Sequence, residues 1–500
     1  MPTPITASML YDLVLCPHRV HLDLYGDSSL RDPVSPFVRL LWERGALHER
    51  QAVADAGLVF TDLSGLSGPE KEEATVRAMA RGDALIYSGR IRSGDLLGVP
   101  DLLRKAPGGY LAGDIKSGAA LSGGSDPEGG KYKASYAVQL ALYTDILEKL
   151  GRSAGRTPFI LDIHGEETAY DLERPQGPRK QESWWMLYLR TLAGARRIVH
   201  RTDATLPAYA SATCKNCHWY SACMREVRRT GDLTLIPGLG RTKRDTMRSE
   251  IRDIHQMAHC RPGHYIRGDR TVFRGVGPAT LNKFRERAEL LIHPDAGLRV
   301  RGPIAFPKVP RELFYDVETD PFEDICYLHG FVERIPGDPP RERYVPFFAE
   351  APTPEAEEDA FRGAWAFLSA SHPCAVYYYS KYERTALRKL AEKYPRVTSV
   401  EAVETFFGDE STVDLLFDIV ERKTEWPCID HSIKTLATYL GFRWRDENPS
   451  GAASIEWYHR FLETGDTEIR KRILAYNEDD CAAMRVLLEG IRERMRSGAV

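Results

Sequence analysis

The chain has 500 residues, of which 43% are hydrophobic and 28% charged, and its net charge is −3. This length exceeds one typical core, so we expect two or three domains. No apolar run reaches the ~20 residues that span a membrane, and the N-terminus lacks a basic start followed by an apolar stretch. We therefore expect a cytoplasmic protein without membrane contact.

Residues 1–230 mix predicted helices and strands. Hydrophobic periodicity predicts a helix that starts near residue 11, a long amphipathic helix over 35–57 and a helix over 132–151. Apolar alternation predicts strands within 83–105 and 110–118. The sequence therefore predicts an α/β arrangement for this part.

The remaining chain divides in two. Residues 231–310 form predicted short helices joined by glycine turns, and they carry 15 Lys and Arg against 8 Asp and Glu. This positive excess is typical of a phosphate-contacting segment, and a solvated linker would have the same composition. Residues 311–500 begin with a strand predicted over 312–320 and end in a helix predicted over 468–495.

Two acidic residues and a lysine indicate a metal-dependent hydrolase in the first part. Asp101 and Asp114 end adjacent predicted strands, and Lys116, two residues after Asp114, points to the same face. Hydrolysis of a phosphodiester needs a carboxylate-held divalent metal, an activated water and a cation near the developing charge. His48, in the long predicted helix, could supply a further ligand, although a single helix-surface histidine is also common.

The helix over 132–151 adds two polar candidates. Gln139 and Tyr143 are four residues apart, so they share a helix face and could orient substrate or Lys116. The ordered pattern PD…DIK followed by QLALY resembles the PD-(D/E)XK and QxxxY motifs of RecB-type nucleases, which also have an upstream histidine. This resemblance implies a restriction-endonuclease-like core in residues 1–230 that uses Mg²⁺ or Mn²⁺.

Four of the nine cysteines form a pattern around this candidate core. Cys16 precedes it, and Cys214, Cys217 and Cys223 follow it with the spacing C-x2-C-x5-C. Such a set suits zinc or an iron–sulfur cluster, and free buried cysteines are the remaining alternative. The arrangement resembles that of the CRISPR-associated RecB-like family and of the AddB nuclease domain, which implies a structural 4Fe–4S cluster. The other cysteines are scattered, which favours a reduced protein without a disulfide framework.

Two Gly-x-Gly turns lie between apolar segments in residues 231–310. The turn in GVGPATLNKF resembles a helix–hairpin–helix, in which backbone N–H groups at a helix start approach a phosphate. The predicted nucleic-acid contacts are Gly275, Gly277, Lys283 and Arg285. A helical connector with glycine caps is the alternative.

The segment FYDVETD suggests a second hydrolytic site. Asp316 and Glu318 are two residues apart on one strand face, which resembles the first signature of RNase H-like DEDD exonucleases. Glu383 lies at a predicted strand–helix junction, where that family has aspartate. The resemblance implies that these carboxylates bind metal, and it is greatest to the YprB-type domain found fused to RecB-like nucleases.

The last predicted helix completes this second set. Tyr476 and Asp480 form a Y-x3-D pair on one face, which resembles the DEDDy subclass and implies that Tyr476 positions the attacking water. Asp479, turned about 100° away on the helix, is the second choice for the ligand. Asp414 could also bind metal, but its position favours a helix N-cap.

These patterns predict an α/β multidomain protein. Its parts are a PD-(D/E)XK nuclease with an iron–sulfur site (1–230), a helix–hairpin–helix middle (231–310) and an RNase H-like exonuclease (311–500). The expected activity is Mg²⁺- or Mn²⁺-dependent hydrolysis of DNA in repair, recombination or defence. An adaptor with one or both sites degenerate, or an RNA-processing exonuclease, are the alternatives. The chain has no P-loop motif, so a helicase motor would be a separate partner.

Overall fold

The computed structural model describes residues 3–40, 43, 45, 60–122, 130–163, 165–177, 180–337 and 339–497. The chain forms two compact units. The first comprises Met1–Pro207 with Ala212–Cys223, and the second comprises Ala208–Ser211 with Met224–Val500. The basic segment 231–310 is part of the second unit. Within the described ranges, no helix has the length and apolarity needed to cross a membrane.

The first unit is a mixed α/β fold. Its strands are β1 (Ile5–Thr6), β2 (Thr61–Asp62), β3 (Leu85–Tyr87), β4 (Ile91–Ser93), β5 (Leu96–Gly98), β6 (Leu102–Ala106), β7 (Gly109–Ile115), β8 (Leu121–Ser122), β9 (Lys131–Tyr132), β10 (Phe159–Leu161), β11 (Glu167–Ala169), β12 (Pro175–Gly177) and β13 (Lys180–Ser183). Its helices are α1 (Ala7–Leu15), α2 (Pro17–Tyr25), α3 (Gly68–Arg81), α4 (Ala134–Lys149) and α5 (Trp184–Val199). The short helices α6 (Ser211–Cys214) and α7 (Tyr220–Arg229) lead into the second unit.

A six-stranded sheet with the order β11-β10-β7-β6-β3-β2 forms the centre of the first unit. β7 is paired antiparallel with β6 and parallel with β10, so its end is enclosed on both sides. Helix α4 packs against β7, and 12 of its 16 residues are buried. A helix that is apolar on nearly every side belongs in a core. This packing fixes the distance between α4 and the end of β7.

The sequence predicts one helix from residue 11 onward, but the structure has two. Cys16 separates α1 from α2 in an extended conformation (φ −156°, ψ 105°), and Pro17 occupies the first turn of α2. A residue before proline is disfavoured in the helical region, and proline fits best at a helix start. The break therefore presents the Cys16 side chain between two helices.

The second unit contains a five-stranded sheet with helices on both faces. Its strands are β14 (Ile266–Arg267), β15 (Arg270–Thr271), β16 (Arg299–Val300), β17 (Glu312–Asp320), β18 (Ile325–Ile335), β19 (Arg341–Phe348), β20 (Ala375–Tyr378), β21 (Thr412–Asp414) and β22 (Thr424–Glu425). Its helices are α8 (Arg241–Met247), α9 (Ile254–His259), α10 (Pro278–Ile292), α11 (Pro354–Ala370), α12 (Tyr382–Lys393), α13 (Val400–Gly408), α14 (Glu421–Lys423), α15 (Ile433–Tyr439), α16 (Gly451–Thr464) and α17 (Thr467–Arg496).

The order in this sheet is β19-β18-β17-β20-β21. The first three strands are antiparallel neighbours, whereas β20 and β21 run parallel to β17. A bulge in β18 lies opposite Glu318, where the pairing shifts from Leu328 to Cys326 and leaves Tyr327 as the extra residue. Bulges next to functional residues redirect a side chain. Helix α17, 30 residues long, packs along β17 and β18.

Candidate active sites

The end of β7 brings together five of the six residues predicted for the first site, all except His48. Asp114, 2% exposed, accepts a hydrogen bond from Gln139 Nε2 at 2.8 Å. The same amide donates to the Tyr143 hydroxyl at 3.2 Å, and that hydroxyl donates to the Val99 carbonyl at 3.3 Å. The QxxxY pair of α4 therefore holds the Asp114 carboxylate from one side.

Lys116 forms an ion pair with Asp114. Its ammonium lies 5.4 Å from the centre of the Tyr136 ring. Burial alone would lower the pKa of Lys116, but the carboxylates of Asp114 and then Asp101 raise it above its ordinary value. Lys116 is therefore a stable cation at neutral pH, as the stabilisation of negative charge requires.

Asp101 lies between β5 and β6, and its Oδ2 accepts a hydrogen bond from the Ile115 backbone N–H at 2.7 Å. This bond ties Asp101 to the strand that carries Asp114. The two carboxylates form an oxygen donor set of the kind that suits Mg²⁺ or Mn²⁺. His48, the third predicted ligand, lies outside the described residues.

The four patterned cysteines approach one another in the first unit. Burial, and then the neighbouring sulfurs of Cys217, Cys16 and Cys214, raise the pKa of Cys223 to about 12. Burial also raises the pKa of Cys217, again with contributions from Cys16 and Cys214. All nine cysteines are thiols rather than disulfides. A set of four thiols fits zinc or an iron–sulfur cluster, because both take thiolate ligands.

Hydrogen bonds also join the two ends of this cysteine region. Asp23 on α2 accepts a hydrogen bond from the Trp219 indole at 2.9 Å and lies 2.7 Å from His218 Nε2. Arg31 pairs with the same carboxylate at 3.3 Å. Side-chain hydrogen bonds therefore hold the segment after Cys16 against the loop that carries the other three cysteines.

Three carboxylates of the second unit converge. One oxygen each of Asp316, Glu318 and Asp480 lies within 4.8 Å of the others. Asp316 and Glu318 alternate along β17, and Asp480 projects from α17, which packs on that strand. An all-oxygen set of this kind fits Mg²⁺ or Mn²⁺.

The environment of these carboxylates disfavours their charge in the absence of a cation. Burial and then the Asp480 carboxylate raise the pKa of Asp316 well above its ordinary value. Burial and then Asp316 do the same to the pKa of Glu318. Like charges in a buried cluster are costly, and a bound divalent ion reverses this. The chemistry of the donor set therefore matches a metal site.

Glu383, the fourth predicted ligand, lies at the start of α12 and is 3% exposed. It does not belong to the group of three that lies within 4.8 Å, but Asp316 is close enough that burial and this neighbour raise the pKa of Glu383. Its Oε2 receives no hydrogen bond. A buried acceptor without a donor is costly, so this oxygen is available to bind a cation.

Sequence reasoning missed several residues around Asp480. Lys434 on α15 donates to the Tyr476 hydroxyl at 2.9 Å and to Asp480 at 3.2 and 3.3 Å. The Trp444 indole donates to Asp480 Oδ1 at 2.7 Å. No sequence pattern links Lys434 or Trp444 to the Y-x3-D pair, because both are distant along the chain. The lysine balances part of the negative charge and holds Tyr476 beside Asp480.

Asn477 is a second missed residue, although it adjoins Tyr476. Its Nδ2 donates to Asp316 Oδ2 at 2.7 Å, and its Oδ1 accepts from the Tyr344 hydroxyl at 2.8 Å. Gly330, which pairs with Asp316 across the sheet, makes room for this amide, since a Cβ there would lie 1.5 Å from Asn477 Oδ1. The glycine is therefore required by the orientation of Asp316.

The two alternative ligands have other roles. Asp479 accepts hydrogen bonds from the Arg445 backbone N–H at 2.8 Å and from Arg445 Nε at 2.9 Å. Asp414 caps the π-helical segment Leu415–Val420 by accepting from the Phe417 N–H at 2.9 Å. The structure thus places Asp480, rather than Asp479, beside Asp316 and Glu318.

The predicted nucleic-acid contacts lie at the start of α10 and along it. Gly275 has a left-handed φ of +77°, and Gly277 is the N-cap of the helix. Lys283, however, lies 3.6 Å from the buried carboxylate of Glu425, which also pairs with Arg287 at 2.6 Å. Arg285 pairs only loosely along the helix, at 3.7 Å from Glu289. Lys283 therefore has a structural partner within the second unit.

Comparison with known families gives two matches, one in each half of the chain. Residues 20–224 match the PD-(D/E)XK nuclease superfamily, and residues 313–491 match the RNase H superfamily. No curated protein matches the chain. The chain thus contains a PD-(D/E)XK nuclease superfamily domain followed by an RNase H superfamily domain, and two nuclease-superfamily domains support a metal-dependent nuclease.

Proposed function

We propose that this protein hydrolyses phosphodiester bonds of DNA with Mg²⁺ or Mn²⁺ at two separate sites. The observation that carries the proposal is the convergence of the Asp316, Glu318 and Asp480 carboxylates, of which Glu318 and Asp480 are buried. The Asp114–Lys116 ion pair, with Asp114 oriented by the QxxxY pair, supports the hydrolytic site of the first unit. DNA with free ends or single-stranded regions is the proposed substrate.

In the first unit, the proposed ligands are Asp101, Asp114 and His48. The bound metal would polarise the phosphodiester and lower the pKa of water. Lys116 remains positively charged and stabilises the negative charge that develops on the phosphate. Gln139 fixes the orientation of Asp114 through its 2.8 Å hydrogen bond, and Tyr143 fixes Gln139.

In the second unit, Asp316, Glu318, Glu383 and Asp480 are the proposed metal ligands. Tyr476, 3% exposed, is held by Lys434 beside Asp480. From this position its hydroxyl would orient the attacking water, and exonucleolytic removal of terminal nucleotides is the proposed reaction. Glu383 is one methylene longer than the aspartate of the related pattern, so we expect slow or Mn²⁺-preferring hydrolysis.

The test of this proposal is degradation of end-labelled single- and double-stranded DNA and RNA by the full-length protein with Mg²⁺ or Mn²⁺. Release of mononucleotides from DNA is the expected result. Faster loss of RNA would make the protein an RNA-processing nuclease. Binding without hydrolysis under every condition would make it an adaptor with degenerate sites.

We further propose that Cys16, Cys214, Cys217 and Cys223 hold a structural 4Fe–4S cluster. The mutual proximity of the four thiols supports one shared metal centre, and the separation of Cys16 from the other three ligands along the chain favours a cluster over zinc. The cluster would join the start and the end of the first unit. Because the pathway is proposed to be repair, recombination or defence, a separate helicase would be a suitable partner.

Replacing Cys16 by Ser should remove the cluster and destabilise the first unit. One ligand is lost at the break between α1 and α2, so binding energy that contributes to folding is lost. We expect loss of iron, sulfide and brown colour, and a fall in melting temperature of about 5–10 °C. Cys260→Ser, which changes a cysteine outside the pattern, should retain all four properties. Stoichiometric zinc without iron in the wild-type protein would contradict this prediction.

Charge reversal separates nucleic-acid contact from folding in α10. Arg285→Glu should weaken binding to unrelated DNA sequences alike and reduce the salt dependence of binding, because phosphate contacts carry no base information. Lys283→Glu should instead lower the stability by about 1–3 kcal/mol, since it places a like charge beside the buried Glu425. Filter binding at several salt concentrations and thermal denaturation measure the two effects. Unchanged affinity of Arg285→Glu would make α10 a connector.

A further inference from the structure

A further group of potential metal ligands lies outside both proposed nuclease sites and the cysteine site. Asp320 ends β17, Glu323 follows in the turn to β18, and His459 projects from α16. One ligand atom of each lies within 4.8 Å of the other two. The group combines an imidazole with two carboxylates, so it is more than a patch of acidic residues.

The inner part of this group is buried. Asp320 is 1% exposed and His459 is 2% exposed. Asp320 Oδ1 accepts a hydrogen bond from the Phe322 N–H at 2.8 Å, but its buried Oδ2 receives none. Oδ2 lies 2.7 Å from His459 Nε2, close enough for an ion pair but without hydrogen-bond alignment. Two buried ligand atoms at this distance, with a Glu323 oxygen within 4.8 Å of both, could bind one ion.

We propose that Asp320, Glu323 and His459 bind a divalent cation of the Mn²⁺ or Zn²⁺ type. Imidazole nitrogen with carboxylate oxygen suits these ions, whereas Mg²⁺ and Ca²⁺ prefer sets of oxygen alone. The cation would be bound by the Oδ2 of Asp320 and by the His459 imidazole, which lies 2.7 Å from it. Glu323 is exposed, so it completes the set from the solvent side, where water can fill the remaining positions.

The position of this cation gives it a structural role beside the second nuclease site. It joins the end of β17, which carries Asp316 and Glu318, to α16. The same helix carries Ser454, whose hydroxyl contacts the Tyr327 hydroxyl at 2.8 Å, and Tyr327 donates to Glu318 at 3.4 Å. The cation therefore holds α16 and Tyr327 in place and positions Glu318 without contacting substrate.

Mn²⁺ binding to the full-length protein tests this proposal directly. Mn²⁺ is the probe because thiolates favour softer ions, so the cysteine site does not compete. The measurements use a His48→Gln background, so that this histidine contributes no imidazole ligand. We expect His459→Gln to bind one Mn²⁺ fewer per chain, counted by electron paramagnetic resonance, and to lose the nitrogen coupling in the spin-echo spectrum. Equal counts and equal nitrogen coupling would overturn the proposal.

A second variant guards against misfolding of the buried histidine variant. Glu323→Gln changes an exposed side chain, so the metal-free protein should melt at the wild-type temperature. We expect it to weaken binding of this Mn²⁺ at least about tenfold and to reduce the Mn²⁺-induced rise in melting temperature. If Glu323→Gln binds Mn²⁺ as wild type does, Asp320 and His459 form only a buried ion pair. These readouts do not depend on nuclease activity, so they remain valid if the proposed function fails.

Discussion

Asp316→Asn should reduce hydrolysis by the second unit about 10³-fold or more. Asp316 is one of the three converging carboxylates, and loss of one charged ligand removes several kcal/mol of metal-assisted stabilisation. The rate of terminal nucleotide release should be measured in an Asp114→Asn background, so that the remaining activity belongs to the second unit. Full activity of the double variant would show that hydrolysis does not need Asp316, and so would contradict its proposed role as a metal ligand.

Asp479→Asn is the matched control for this change. Asp479 is a carboxylate one residue from Asp480 on the same helix, but its partner is Arg445 rather than the cluster. We expect its hydrolysis rate to remain within about threefold of the starting protein. Equal losses in Asp316→Asn and Asp479→Asn would indicate that the packing of α17 on β17 is disturbed, rather than that a metal ligand is lost.

The same Asp316→Asn change should stabilise the metal-free protein while it removes activity. Burial and Asp480 raise the pKa of Asp316, so ionised Asp316 costs folding free energy at neutral pH. A neutral amide removes that repulsion. In the presence of a chelator, we therefore expect the free energy of unfolding to rise by about 1–3 kcal/mol. Saturating Mn²⁺ should reverse the order, because only the wild-type cluster gains the full binding energy. A destabilised metal-free variant would contradict this electrostatic account.

Local spacing predicted the parts of these sites that lie on single elements. Asp316 and Glu318 share a strand face because the period of a strand is two, and Tyr476 and Asp480 share a helix face because they are four residues apart. The sequence also indicated the choice of Asp480 over Asp479. What it could not indicate was Lys434, since the contact with Asp480 depends on the packing of α15 against α17.

The local charge balance did not predict the partner of Lys283 in α10. The local positive excess suggested that Lys283 contacts phosphate, but Lys283 lies beside the buried Glu425. Glu425 belongs to β22, which pairs with β16 far from its position in the sequence. Similarly, Gly330 gave no signal by itself, because its role depends on Asn477 of α17 entering the space opposite Asp316. Contacts between residues that are far apart in the sequence produce no periodic pattern from which they could be predicted.

Asp114→Asn and Lys116→Met should each abolish hydrolysis by the first unit, with losses of about 10²–10³-fold or more. The first change removes a proposed metal ligand, and the second removes the cation that faces it while keeping most of the side-chain volume. Activity should be measured in an Asp316→Asn background, which silences the second unit. DNA affinity should change little, whereas the melting temperature should fall in both variants, because each change leaves one member of the Asp114–Lys116 ion pair without its opposite charge.

Lys149→Met is the matched control for the Asp114 and Lys116 variants of the first unit. It breaks another aspartate–lysine pair of the first unit, that of Asp145 and Lys149 at the C-terminal end of α4. Because Lys149 is half-exposed and the buried Asp145 keeps the Tyr188 hydroxyl as a hydrogen-bond donor, we expect wild-type hydrolysis and a stability change of about 1 kcal/mol. If Asp114→Asn and Lys116→Met hydrolyse DNA as fast as Lys149→Met, the first unit has no PD-(D/E)XK chemistry. Its QxxxY hydrogen bonds would then serve only to hold a buried carboxylate in the fold.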